Sequence, residues 1–187
     1  MAIHRPVPTP QDLHRAYALA HDPRRVRRAW VVATVVGDTL GLLVPALVAA
    51  AAYDWRPELF LVIMAVAGTV EGIVLGAAQS VVLHREFLGF SRTAWTLVTG
   101  LGAGFAWFVG MLPSTAYPVW QDWSWWVLVP LGLVLAGLLL ASIGLAQWLV
   151  LRRHVARSRT WVPVNAAAWL LGLGLMLAVA TPLWQEG

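Results

Sequence analysis

Five apolar stretches, at residues 30–52, 59–83, 94–115, 125–151 and 161–184, occupy most of this 187-residue chain. Each holds about 20 residues or more. A helix rises about 1.5 Å per residue, so each stretch can cross a hydrocarbon core of about 30 Å. In hydrocarbon every backbone N–H and C=O needs a partner inside the protein, and within one segment a helix supplies it. The sequence therefore predicts an all-α polytopic membrane protein with five transmembrane helices.

Arginine orients those helices. Arg5, Arg15, Arg24, Arg25, Arg27 and Arg28 precede the first stretch, Arg85 and Arg92 separate the second from the third, and Arg152, Arg153, Arg157 and Arg159 separate the fourth from the fifth. The alternate gaps and the C-terminal end hold Arg56 alone, beside Asp54, Glu58, Asp122 and Glu186. Basic residues collect on the cytoplasmic side of membrane proteins. The expectation is a cytoplasmic N-terminus and an external C-terminus. Arginine without any lysine, amid abundant Ala, Leu, Gly and Trp, suits a high-GC bacterial gene. That points to a bacterial cytoplasmic (inner) membrane.

With 59% hydrophobic residues, the chain has no room for a separate soluble domain. Residues 1–29 read as a cytoplasmic arm and residues 30–187 as one bundle. Within the arm, Thr9-Pro10-Gln11-Asp12 has the form of a helix start. Leu13, Ala16, Tyr17 and Ala20 follow at helical spacing. They suggest a short amphipathic helix on the inner surface, ended by Asp22-Pro23, with the arginine cluster anchoring span one. The segment from Trp30 is too long for the apolar part of a cleavable signal. Anionic lipid headgroups account for the basic inner face, so the expected partner is the bilayer and not a nucleic acid.

Other absences narrow the chemistry. No cysteine means no disulfide, thiolate metal site, iron–sulfur cluster or thiol nucleophile. No lysine means no retinal or pyridoxal Schiff base and no Walker-A loop. Ser91, Ser114, Ser124, Ser142 and Ser158 have no acid–His companion at helical spacing. His84 and His154 adjoin the arginine-rich loops, where interfacial roles suit them better than haem ligation. No cofactor, metal site or catalytic residue is expected.

The chain repeats internally. Span two ends Gly76-x-Ala78-Gln79-x-x-Val82-Leu83-x-Arg85, and span four ends Gly144-x-Ala146-Gln147-x-x-Val150-Leu151-x-Arg153. Each is followed by a basic loop and a new span opening on Trp95 or Trp161, with Thr99 and Asn165 four residues on. Span one resembles the second half of this unit, with Trp30, Thr34 and Gly37. The chain is thus half a unit followed by two parallel helical hairpins, unlike the inverted repeats of many transporters. Gln79 should correspond to Gln147, and Trp95 to Trp161.

The string Gly144-x-x-Gln147-Trp148-x-Val150-Leu151-Arg152, with Trp161-Val162 beyond its loop, resembles a motif of bacterial multi-span membrane proteins. The first copy departs from it by having Ser80 where the second has Trp148. The resemblance spans helices two to five. It implies a repeat and carries no activity or ligand with it.

Two acids lie within spans. Asp38 is about 12 Å from the inner boundary and Glu71 about 18 Å. Burying a charge there costs roughly 2.5–3.5 kcal/mol on insertion scales, so each acid is a candidate functional residue. Helical phase places Thr34, Gly37, Asp38 and Gly41 on one face, and Gly68, Glu71, Gly72, Gly76 and Gln79 on another. Gln147 shares a face with Gly137 and Gly144, and Asn165 with Ala168 and Gly172. Gly68, Gly72, Gly76, Gly37, Gly41 and Gly144 therefore read as helix-packing positions, where two backbones approach closely. Asp38, Glu71, Gln79, Gln147, Asn165, Thr34 and Thr99 form a candidate polar seam or proton/cation site. Tyr53, Trp55, Tyr117, Trp120, Trp123, Trp125, Trp126 and Trp184 read as an outer aromatic rim, with Pro113 and Pro118 breaking helix beside it.

The favoured functional reading is a non-enzymatic integral membrane protein whose small-residue seams and polar contacts serve self-association or assembly with a membrane protein partner. A proton- or cation-coupled transporter or channel using Glu71 and Asp38 is the rival. A lipid or pigment binder using Trp107, Trp148 and Trp169 is a third reading. Gly89→Cys and Arg157→Cys variants should resist an impermeant external thiol reagent in intact cells, whereas Val119→Cys should react. Labelling of the first two would reverse the orientation.

Overall fold

The computed structural model describes residues 22–185, with side chains through Val179. The described residues form five long helices, all apolar and long enough to cross a membrane. They are α1 (Pro23–Ala52), α2 (Pro57–Glu86), α3 (Arg92–Thr115), α5 (Trp125–Leu151) and α6 (Trp161–Gln185). The short α4 (Tyr117–Trp120) links α3 to α5, and a 3-10 turn at Ser158–Thr160 leads into α6. No strand occurs among the described residues. The protein is an all-α polytopic membrane protein. Its arginine-rich end carries the α2–α3 and α5–α6 loops, and its tryptophan-rich end the other two. The expected amphipathic helix lies outside the described residues.

Asp22-Pro23 begins α1: the Asp22 carboxylate accepts a hydrogen bond from the Arg24 N–H at 2.9 Å, and Pro23 occupies the first turn. An acidic N-cap satisfies an orphan donor, and proline there forfeits nothing the helix would use. The cluster Arg24–Arg28 is consequently helical, and α1 starts well before the apolar stretch does. Pro113 does not break α3, which continues to Thr115 and closes with the Ala116 N–H donating to Leu112 O at 2.9 Å. Pro118 sits in the first turn of α4, again a position that tolerates it.

Glycine sets how close the helices come. A Cβ placed on Gly72 would lie 2.5 Å from the Ala103 Cβ and 2.7 Å from the Thr99 carbonyl oxygen. One on Gly76 would lie 2.9 Å from the Thr99 Cβ, and one on Gly41 would lie 2.9 Å from the Glu71 carbonyl oxygen. A Cβ on Gly37 would lie 2.9 Å from the Ala78 Cβ, one on Gly68 would overlap the Trp107 ring, and one on Gly144 would lie 3.2 Å from the Asn165 Cβ, so all six expected packing glycines lie at helix contacts. Gly100, Gly102 and Gly104 on α3 do the same. Gly137 does not, for a Cβ there meets nothing within 4 Å. Its half of α5 stands away from the bundle: every buried residue of α5 lies between Ser142 and Leu151.

The long helices pack in chain order, α1 on α2, α2 on α3, α3 on α5 and α5 on α6. Helices α1 and α6 end the row and make no extended backbone contact with each other. Their arginine-rich ends are joined by side chains. The rings of Trp30, Trp95 and Trp161 touch pairwise, with centroids 5.7–6.4 Å apart and edges toward faces. Such geometry suits the aromatic quadrupole. Beneath them Trp95, Phe90, Val150 and Leu151 make a buried apolar cluster. The row is therefore curled into a ring with one gap, between α6 and α1.

Gly72→Leu should cost about 1–3 kcal/mol through overpacking against α3. Gly137→Leu, facing open space, should change stability by less than about 0.5 kcal/mol. Thermal unfolding in detergent tests both; equal effects would mean that the α2–α3 seam is not the tight contact described.

Candidate functional site

Four of the expected polar residues converge on one hydrogen-bonded layer a turn beyond the tryptophan triad. The Gln79 amide donates to Thr34 Oγ1 at 3.2 Å, and its carbonyl oxygen accepts from Trp95 Nε1 at 3.2 Å. The Gln147 amide donates to Thr99 Oγ1 at 3.1 Å and to Gln79 Oε1 at 3.1 Å, and its oxygen accepts from Trp161 Nε1 at 3.0 Å. The Thr99 hydroxyl donates its own hydrogen bond to the Trp95 carbonyl at 2.8 Å. The orientation of each amide is forced, because reversing either one would set an NH2 group against an indole N–H. Gln79, Gln147 and Thr99 are buried.

This layer is the sequence repeat in physical form. Each glutamine accepts from the tryptophan that opens the next long helix and donates to the threonine four residues into the previous tryptophan-bearing helix. The glutamine–tryptophan separation is 16 residues in one hairpin and 14 in the other, so the two basic loops differ in length and still deliver the same bond. The packing register repeats as well. Gly76 faces Thr96 and Thr99, and Gly144 faces Val162 and Asn165; Gly37 faces Leu75 and Ala78, and Gly102 faces Ile143 and Ala146. The tryptophans are recognisable in the sequence as markers of the repeat. Their role as indole donors is not, because it depends on side-chain reach across helices.

Asn165 stands at the position of Thr34 and Thr99 but joins no bond. Its Oδ1 is buried without a partner. Asp38 Oδ1 and Trp148 Nε1 are the other buried side-chain polar atoms without a partner among the described residues. The Trp148 ring lies under the Arg152 guanidinium, 5.1 Å from its centroid.

Glu71 is separate from the layer. It is buried on α2, and its Oε2 accepts from Trp107 Nε1 on α3 at 2.6 Å. Gly68, one turn before Glu71, makes room for the Trp107 ring, which a Cβ there would overlap. Gly41 on α1 backs onto Glu71 from the opposite side, and Asp38 lies one turn from Gly41. The two acids are thus neighbours across the α1–α2 seam. A neutral indole, and no arginine, holds the Glu71 carboxyl group.

Two adjoining cavities of about 330 Å³ each open beside these groups. One, toward the tryptophan-rich end, is lined by Glu71, Trp107, Ile143, Trp169 and otherwise apolar side chains. The second lies between α1 and α6, where Trp30, Thr34, Asp38, Trp161, Asn165 and Ala168 face one another across a floor made by Gln79 and Gln147. Ile143 and Trp169 border both. Among the described residues no group of three His, Asp or Glu side chains is placed to hold a metal ion. His84 and His154 instead face backbone carbonyls, Phe90 O at 3.0 Å and Val150 O at 3.3 Å.

Most residues of the expected aromatic rim are exposed. Tyr53, Trp55, Tyr117, Trp123, Trp125 and Trp126 all present large surfaces outward. Trp120 packs edge-on against Trp123 and donates to Pro113 O at 3.2 Å. The Trp184 side chain lies outside the described residues.

No family model matches this chain, and neither a curated protein nor a solved structure is significantly similar to it.

Gln147→Leu removes three hydrogen bonds at once, each worth about 0.6–2 kcal/mol in a membrane helix bundle. It should destabilise the isolated chain by about 2–5 kcal/mol. Asn165→Leu, which breaks no bond within the chain, should leave its melting temperature unchanged or raise it. A large loss from Asn165→Leu would mean that its amide is engaged inside the chain.

Proposed function

We propose that this integral membrane protein is a non-catalytic subunit that assembles with another transmembrane partner through α6 and the cleft beside α1. The observation that carries this reading is the state of α6. No described residue of α6 is buried as a whole, whereas α2 buries residues along its whole length. The backbone of α6 packs closely on α5 alone among the long helices. Small residues at its surface, Gly172 and Gly174, meet nothing within 4 Å, and Gly132 and Gly137 on α5 are equally open.

Between helices in lipid, apolar area gives little drive to associate, and small residues that let backbones approach are the usual contact points. The glycines of α1, α2 and α3 are consumed by contacts within the chain. Those of α6 and the first half of α5 have no such use, and an external helix gives them one. The unpartnered Asn165 oxygen beside them adds a polar group that lipid cannot satisfy.

The transport reading is supported less well. A proton or cation carrier needs a hydrated path to its titrating group. The cavity beside Glu71 is walled by Leu, Ala, Ile, Met and Trp side chains, and the acid is already engaged by Trp107. The site for assembly in the cytoplasmic membrane of a bacterium would face the lipid plane, with the basic loops inside.

Gly172→Phe separates a packing role from an assembly role. Facing open space, it should change the stability of the isolated chain by less than about 0.5 kcal/mol. Particles extracted from native membranes with their lipid should contain a companion polypeptide for the natural chain and lack it for Gly172→Phe, as read by native mass spectrometry. A natural chain that is always extracted alone would overturn the assembly reading.

A further inference from the structure

The two complete hairpins specify what would close the ring. Three helices carry a tryptophan near their arginine-rich end and a polar residue four positions later: α1 with Trp30 and Thr34, α3 with Trp95 and Thr99, α6 with Trp161 and Asn165. Their indoles meet in one triad. A glutamine helix stands between α1 and α3, and another between α3 and α6. Between α6 and α1 there is a cleft.

The groups left over there are the two that a third glutamine would use. By the rule of the other two sites, its oxygen would accept from Trp30 Nε1, and its amide would donate to Asn165 Oδ1. The Trp30 indole makes ring contacts but no hydrogen bond among the described residues. Asn165 Oδ1 is buried and unpartnered. On the α1 side, Val31 and Thr34 stand where Thr96 and Thr99 receive Gly76, and Val31 is 52% exposed. On the α6 side, Ala168 stands where Gly37 receives Ala78 and Gly102 receives Ala146.

We propose that the α6–α1 gap is filled by a transmembrane helix of a different protein, running antiparallel to α1 and α6 and carrying a Gly-x-Ala-Gln pattern like those of α2 and α5. Its carboxamide bridges Trp30 and Asn165 and completes the polar layer as a closed three-unit ring. This rests on the assembly reading above and names the partner's chemistry.

A second copy of this chain cannot supply that glutamine without loss. Gln79 and Gln147 already use their donors and acceptors within the chain. Residues 1–21 do not supply it either, since His4, Arg5, Asp12, His14, Arg15 and His21 interrupt any apolar run long enough to span. The helix that fits carries its own glutamine, or asparagine of similar reach, at the level of the triad.

The chain contains no cysteine, which permits a direct test. The full chain bearing Ala168→Cys is reconstituted in liposomes with a synthetic peptide of residues 125–151 bearing Ala146→Cys. The repeat places these two positions in contact, so mild oxidation should give a disulfide between chain and peptide. A peptide that merely displaced α5 would present Ala146 to Gly102 instead and give none.

Moving the peptide cysteine to the opposite face with Trp148→Cys should abolish the product. A Gln147→Leu change in the peptide, or Asn165→Leu in the chain, should lower its yield at least about threefold, as one membrane hydrogen bond predicts. Equal yields with and without Gln147, or a dominant product between two chains, would overturn the proposal. Loss of all peptide product while the companion polypeptide persists in native particles would sink this helix chemistry and leave the assembly reading standing. Loss of the companion as well would sink both.

Discussion

A carboxamide in hydrocarbon has to find its partners inside the protein, and the Gln147 side chain finds three on three different helices. That arrangement depends on how near the helices stand. Gly76 brings the α2 backbone against Thr96 and Thr99, Gly102 brings α3 against Ile143 and Ala146, and Gly144 brings α5 against Val162 and Asn165. With side chains at those points the helices would separate, and a glutamine side chain would no longer reach across. Close approach and polar satisfaction are thus one device. The glycines create the distance at which the hydrogen bonds form, and the bonds hold the register that keeps glycine facing glycine-sized space.

The same device explains why the bundle is uneven. Helices α1, α2 and α3 share glycine contacts along much of their length, and α2 lies at the centre of the buried set. Helix α5 buries residues only from Ser142 onward, and α6 is held mainly at its arginine-rich end, through Trp161 and the Gly144 contact. Toward the tryptophan-rich end α5 and α6 are less buried, and the cavity beside Glu71 opens there. Helices α1 and α6 end the row, a cleft lies between them, and no described residue of α6 is buried as a whole.

Glu71 and Asp38 differ in kind although both are acids within spans. Glu71 has a partner built for it: Trp107 donates to one oxygen, and Gly68 and Gly41 clear space on either side. Such a pairing ties α2 to α3 and makes the residue a structural contact of the tight half. Asp38 has a buried oxygen with no donor and faces the cleft between α1 and α6. It belongs with Asn165 to the set of groups that the chain alone leaves unsatisfied.

The apolar stretches, the arginine asymmetry and the repeated Gly-x-Ala-Gln strings were legible from the order of residues alone, because length, charge and spacing are one-dimensional properties. They determined five helices, the six packing glycines named from helical phase, and the correspondence of Gln79 with Gln147. They also misled in places: Pro113 reads as a helix breaker and sits inside α3, and Gly137 shares a face with Gln147 but looks outward. What only the tertiary structure decided is which polar groups meet. Indole donors reach glutamines 14 and 16 residues away, Trp107 reaches Glu71 across a seam, and Asn165 reaches nothing. Those outcomes depend on the gap between helices and on which neighbour is absent, and neither is written in the spacing of a single chain.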